Sequence, residues 1–141
     1  HVDRDRAPAE RNQCARVQHL GAVVGQLGRL AHVQFRDDPR IGDHARILPT
    51  PGHTPGHVAF TFGRGRDDAV FSGDLMHSPL QARYPELSAK FDVDQAQAAT
   101  TRRGFLERFC DTETLCCTAH FPSPSTGRIR RAGNGFSCEA A

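Results

Sequence analysis

The chain has no tryptophan, and tyrosine and methionine occur once each. With 38% hydrophobic residues over 141 positions, it can build the core of one modest domain, but not a generous one. No apolar run approaches the ~20 residues that a membrane span needs. A signal-peptide pattern is missing too, because the opening HVDRDRAPAER is charged throughout. Neither sign of charge dominates: the net value is +2 with histidines neutral. That field is too weak to argue for nucleic acid or an anionic membrane as partner. Lysine is nearly absent, with Lys90 alone among eighteen basic residues, a bias that reads as genome composition before function. Cysteine is present but unpatterned. Cys14, Cys110, Cys116, Cys117 and Cys138 make an odd number without a CxxC spacing. This is neither a disulfide framework nor a zinc knuckle, and the expectation is reduced thiols in a cytoplasmic protein. The first residue is His rather than Met, so an upstream start is expected.

What is present reads as alternating helices and short strands. Residues 1–13 are charged and aperiodic and are expected to be a disordered end. Residues 14–141 are expected to form one partial domain. Val17, Leu20, Val24, Leu27 and Leu30 recur at three- and four-residue steps and predict a helix from Cys14 to Leu30, weakened by three glycines. AHVQF (residues 31–35) alternates like a strand, and RDDPRIGD reads as a turn. ARIL, HVAFTF and AVFS are short strand candidates, each closed by Pro, Gly or Asp, with GRGRDD as a hairpin connection. Residues 78–93 carry two prolines and no period and are read as a long loop. A helix follows with Asp94 as N-cap and Ala98, Phe105 and Phe109 on its buried side. TLCCTA predicts a buried strand, and GRIRR and GFSCE a closing hairpin. The fold class expected is α/β, with helices covering a sheet.

Three side chains that can bind a metal stand just past predicted strands: His53 after ARILPTPG, Asp74 after AVFSG and His120 after TLCCTA. Strand ends on one edge of a sheet lie close in space however distant in sequence. Two imidazoles and a carboxylate suit zinc, iron or manganese. Singly, each has a plainer reading, as a structural histidine or an Asx turn. Their joint placement is what points to a site.

TPGHTPGHVAF, then FSGDLMH, then CTAHFPSP resemble the C-terminal half of a metallo-β-lactamase-fold hydrolase. The wider text is most similar to the branch that includes methyl parathion hydrolase and lactonase-like enzymes. The resemblance implies a partial αββα sandwich, mainly its C-terminal half, and His53, Asp74 and His120 as metal ligands. Asp74 would bridge two ions, zinc foremost, with iron and manganese as alternatives. It further implies that the Pro-Gly pairs brace His53. His57 serves the loop or a hydrogen bond behind the ligands, and His77 either faces a substrate pocket or is an ordinary loop histidine. The reaction implied is hydroxide attack on an ester, lactone or phosphotriester, with a small molecule as partner.

One family motif, HxHxDH, is not found in these 141 residues. Its absence predicts weak metal binding and poor turnover by this chain alone, as for a fragment of a longer reading frame. It also predicts uncovered apolar surface open to self-association. Two other readings stay open: a non-enzymatic interaction module, and a mononuclear site of His53, Asp74 and His120 with waters completing the shell.

Overall fold

A computed structural model of the chain describes residues 39–141. The expected disordered end, the 14–30 helix and the 31–35 strand lie outside the described residues. The elements are β1 (Arg40–Ile41), β2 (Ala45–Pro49), β3 (Val58–Phe62) and β4 (Ala69–Phe71), then a 3-10 turn at Gly73–Leu75. They continue with α1 (Pro79–Arg83), α2 (Gln95–Phe109), β5 (Leu115–Cys117), β6 (Thr126–Ala132) and β7 (Gly135–Ala140). All seven strands form one sheet in sequence order. Neighbours are antiparallel except β4 and β5, which run parallel with Val70 opposite Cys116. Two parallel strands cannot be joined by a hairpin, so the chain must cross over between them, and α1 and α2 make that crossover.

This topology decides where the site can be. Because β2, β4 and β5 point the same way and β3 points back, four chain ends share one edge of the sheet: the ends of β2, β4 and β5 and the start of β3. The loops after those ends carry His53, Asp74 and His120. Loops outside the carboxyl ends of strands are where α/β sheets gather their chemistry.

The register sorts the strand residues onto two apolar faces. Ala59, Val70, Cys116, Ile129 and Phe136 face α2 and are buried with Phe105, Leu106 and Phe109. Burying Leu106 alone is worth about 1.5–3 kcal/mol. Ile47, Phe60, Phe71 and Cys117 are in register across four strands on the other face. There the Phe62 and Phe71 rings meet edge-on at 5.3 Å. Central strands with two apolar faces read as continuous hydrophobic runs, which is why AVF and LCC show no alternation.

Asp94 caps α2 as the sequence indicates, accepting a hydrogen bond from the Gln97 amide at 2.9 Å. The expectation of an unbroken loop over 78–93 is corrected by α1. Pro79 supplies a helical φ at the first position, and the Tyr84 amide closes the turn on the Leu80 carbonyl at 2.8 Å. One turn is too short to leave a period in the sequence. RDDPRIGD is only partly a turn, since Arg40 and Ile41 pair with Arg46 and Ala45 before the chain reverses. The hairpin at Gly133–Asn134 forms as read. Cys110, Cys116, Cys117 and Cys138 are free thiols. Burial, with Cys138 nearby, pushes the Cys117 thiol up to about 11. It stays protonated at neutral pH and is a poor nucleophile or ligand. Among the described residues no helix is long and apolar enough to cross a membrane.

Candidate functional site

The loop Thr50–His57 links β2 to β3 and is pinned at its base, where the Thr50 amide donates to the His57 carbonyl at 2.9 Å. Gly52 has φ +133°, and a Cβ there would collide with the backbone of Ala98 at the start of α2. Only glycine lets the loop lie this close to the helix. His53 follows directly. Its Nδ1 donates to Asp92 Oδ1 at 3.1 Å, which leaves Nε2 facing Asp74 Oδ2 at 3.7 Å. The Val93 amide donates to the His53 carbonyl at 3.1 Å, so backbone and ring are held independently.

His57 does a different task. It is buried, and its Nε2 accepts the Asp74 amide at 3.0 Å. Nδ1 therefore carries the proton and shares it between the hydroxyl and carbonyl oxygens of Thr50, at 2.8 and 3.1 Å. Burial, partly opposed by the Thr50 contact and Asp74, lowers its pKa and keeps it the neutral acceptor this arrangement needs. Gly73, at φ +55°, makes room: a Cβ there would stand 2.9 Å from His57 Nε2. The contact places His57 behind Asp74.

Asp74 lies in the 3-10 turn after β4, and its two oxygens face two different imidazoles. Oδ2 faces His53, and Oδ1 accepts from His120 Nε2 at 2.7 Å. Burial pushes the carboxyl up, but the hydrogen bond from His120 and the neighbouring imidazoles outweigh it and hold the carboxyl below its ordinary range. The three residues singled out from sequence are thus brought together. His77 joins them. Asp74, His77 and His120 each offer a donor atom, and these atoms lie within 4.8 Å of one another. The His77 ring stacks on His120 at 4.7 Å between centroids and meets Phe91 at 4.6 Å. Its Nδ1 is buried with no hydrogen-bond partner. Burial first, then His120 and His53, lower its pKa to about 4, so it is a neutral imidazole with a free lone pair at neutral pH.

Asp92 and Arg102 were not found from sequence. Arg102 had a signal: with Ala98, Phe105 and Phe109 it completes the spacing of the buried stripe of α2, a charge where a hydrophobe belongs. Asp92 had none, being one acid in an irregular segment 39 residues from its partner. His1, His19 and His32 lie outside the described residues. His44 stands at the opposite end of β2, near Arg64.

A profile of the metallo-beta-lactamase superfamily matches residues 17–120. Among solved structures the chain is similar to AidC, a dizinc quorum-quenching lactonase in complex with a product, with 27% identity and a TM-score of 0.69 over 76% of this chain and 37% of that one. It is also similar to AbOPH, a hydrolase in the beta lactamase superfamily, with 28% identity and a TM-score of 0.65 over 74% of this chain and 36% of that one. An N-acyl homoserine lactone hydrolase shares the fold at 17% identity and a TM-score of 0.52, over 64% of this chain and 36% of its own. No curated protein matches. The chain spans little more than a third of the length of these structures. With most of its length inside the family profile, and its fold matched by lactonases and other hydrolases of that family, the chain belongs to the metallo-beta-lactamase superfamily.

Proposed function

We propose that the chain carries the part of a metal-dependent hydrolase site built by His53, Asp74 and His120, with Asp74 shared between two ligand positions. The observation that carries this reading is the split of the Asp74 carboxylate: one oxygen faces His53 and the other faces His120. A structural aspartate would spend both oxygens on backbone amides or a single cation. The donor set suits a divalent ion. Two ligands ~2.1 Å from a tetrahedral zinc stand ~3.4 Å apart, close to the 3.7 Å between His53 Nε2 and Asp74 Oδ2. His77 offers a further candidate ligand atom within 4.8 Å of those of Asp74 and His120.

When bound, the cation would supply an activated water for attack on a carbonyl or phosphoryl centre and would stabilise charge on oxygen. The chain's own residues do the positioning. His57 fixes the Asp74 backbone. Asp92 fixes the ring of His53. Phe91 lies against His53 and His77 while 59% exposed, and offers an apolar wall to the non-reacting part of a substrate. The lactonase neighbours favour a lactone over other esters and phosphotriesters, and zinc over iron or manganese. On this reading the protein acts on a small molecule in the cytoplasm. Self-association has one support, the apolar second face around Phe62 and Phe71. A second reading is a mononuclear site that differs from the His53, Asp74 and His120 set read from sequence: the cluster of Asp74, His77 and His120 favours His77 in place of His53.

The test is a cobalt titration of the purified chain followed by its visible spectrum, then lactone, ester and phosphotriester hydrolysis. Saturable spectral change that is lost in His53→Ala and in His120→Ala is expected. A flat spectrum up to millimolar cobalt overturns the proposal. Loss in His77→Ala with retention in His53→Ala selects the mononuclear site.

A further inference from the structure

The two segments that bring His53 and Asp74 together are tied by one buried side chain, Arg102. It projects from the covered face of α2 and is 1% exposed. Its Nε donates to the carbonyl of Leu75, the residue after Asp74, at 2.9 Å. Nη1 donates to the carbonyls of Pro85 and Leu87, each at 2.8 Å. Nη2 reaches Asp92 Oδ2 at 3.4 Å. Asp92 is fully buried at its side chain and is otherwise engaged by the Ala89 amide at 3.0 Å and by His53 Nδ1 at 3.1 Å.

We infer that Asp92 and Arg102 are positioning residues for the site, with Asp92 setting the ring tautomer of His53 and Arg102 locking Asp92 to the turn that carries Asp74. This rests on reading His53 and Asp74 as ligands. The argument is chemical. An imidazole binds a metal through a nitrogen that bears no proton. A carboxylate that accepts from Nδ1 fixes the proton there and leaves the Nε2 lone pair aimed at Asp74. A buried carboxylate needs a partner, and a guanidinium supplies charge and several donors in one rigid plane. The carbonyls of Leu75, Pro85 and Leu87 give Arg102 a structural task, but the charge pair itself is weak evidence for stability, since replacing a buried ion pair by apolar residues of similar volume is often neutral or stabilising. Its placement is what argues for function. Every group on Arg102 binds either the segment that ends in Asp92 or the turn that holds Asp74. Asp92 in turn spends one whole oxygen on His53.

The experiment uses the full chain with selectively 15N-labelled histidine, freed of metal by chelator, at about pH 8, above the ordinary histidine range. Long-range proton–nitrogen spectra read the tautomer of His53 with no metal present. The wild-type ring is expected as the Nδ1–H form. Asp92→Asn can turn its amide toward the ring and should shift His53 toward Nε2–H. The double variant Asp92→Leu with Arg102→Met removes both charges together. It should make the same shift, at a lower melting temperature because the carbonyls of Leu75, Pro85 and Leu87 lose Arg102 as donor. In each variant, cobalt affinity should fall ~10–100-fold. A wild-type ring already in the Nε2–H form overturns the inference, as does a folded double variant that keeps both tautomer and affinity. If the wild-type chain takes up no cobalt while its tautomer depends on Asp92, the metal reading fails and the positioning role stands. Asp92→Asn keeps the inference testable should the double variant fail to fold.

Discussion

His53 and His120 approach the same carboxylate from two sides, and the protein holds them by different means. The His53 side chain is 17% exposed, tied at Nδ1, tied through its backbone, and enclosed by the rings of His57, His77 and Phe91. The His120 side chain is 43% exposed, and its contacts are a hydrogen bond to Asp74 and a stack on His77. On the proposed metal site, the His53 position would be built before an ion arrives. The His120 position could adjust, as its 2.7 Å contact to Asp74 would have to widen to admit an ion there. Rigidity is therefore uneven across the site and follows the loops: the Thr50–His57 loop lies against α2, while His120 stands in the loop after β5, where Ala119, Pro122, Ser123 and Pro124 are exposed and Phe121 packs against the core.

The contrast can be broken most severely at Gly52. Gly52→Ala meets both an adverse φ and the backbone of Ala98. It should cost about 3 kcal/mol or more, read as a fall of ~10 °C or more in the melting temperature of the metal-free chain. An unchanged melting temperature would mean that the loop is not braced on α2. A smaller effect is expected at the other corner. If His120 is the ligand proposed, His120→Ala should weaken cobalt binding at least about tenfold. Metal-free stability should stay within about 0.5 kcal/mol, as for an exposed position. A large drop in melting temperature would show that His120 is as built-in as His53.

The smallest effect concerns His77, between the two. Its folded pKa of about 4 lies below the ordinary 6.5. The fold therefore prefers the neutral ring, and the unfolded chain takes up protons first as pH falls. The contribution of His77 is full above pH 6.5 and is lost progressively down to about 4. Metal-free His77→Gln should show a shallower loss of stability across that window. Below it, Asp74, whose pKa is lowered, loses its own contribution in both proteins. Identical slopes for the two proteins between pH 6.5 and 4 would show that the ring is not held neutral.

Much of this arrangement was legible in the sequence because it is local. Strands ending at Pro49, Phe71 and Cys117 announce themselves by apolar runs closed by Pro, Gly or polar residues. A metal-capable side chain after each is visible by eye. Asp94 was found as a cap because its partner lies three residues away. Asp92, two residues earlier, was missed because its partners, His53 and Arg102, come from a distant loop and a helix face. Reading that face by its apolar members alone hid Arg102. For His77 the sequence left two readings open, a pocket-facing or an ordinary loop histidine, and gave no sign of its stacking on His120, which depends on the parallel register of β4 and β5.

The direction of β3 has a practical consequence. It leaves from the His57 end and delivers the chain to Gly63–Asp68, a hairpin at the far end of the sheet whose Arg64, Gly65 and Arg66 are exposed. The Arg66–Asp68 ion pair there is solvent-facing on both partners and contributes little. That tip is a natural attachment point. A fluorophore, an affinity tag or a surface tether placed between Arg64 and Arg66 would report on or immobilise the molecule while leaving the opposite rim open to whatever diffuses in.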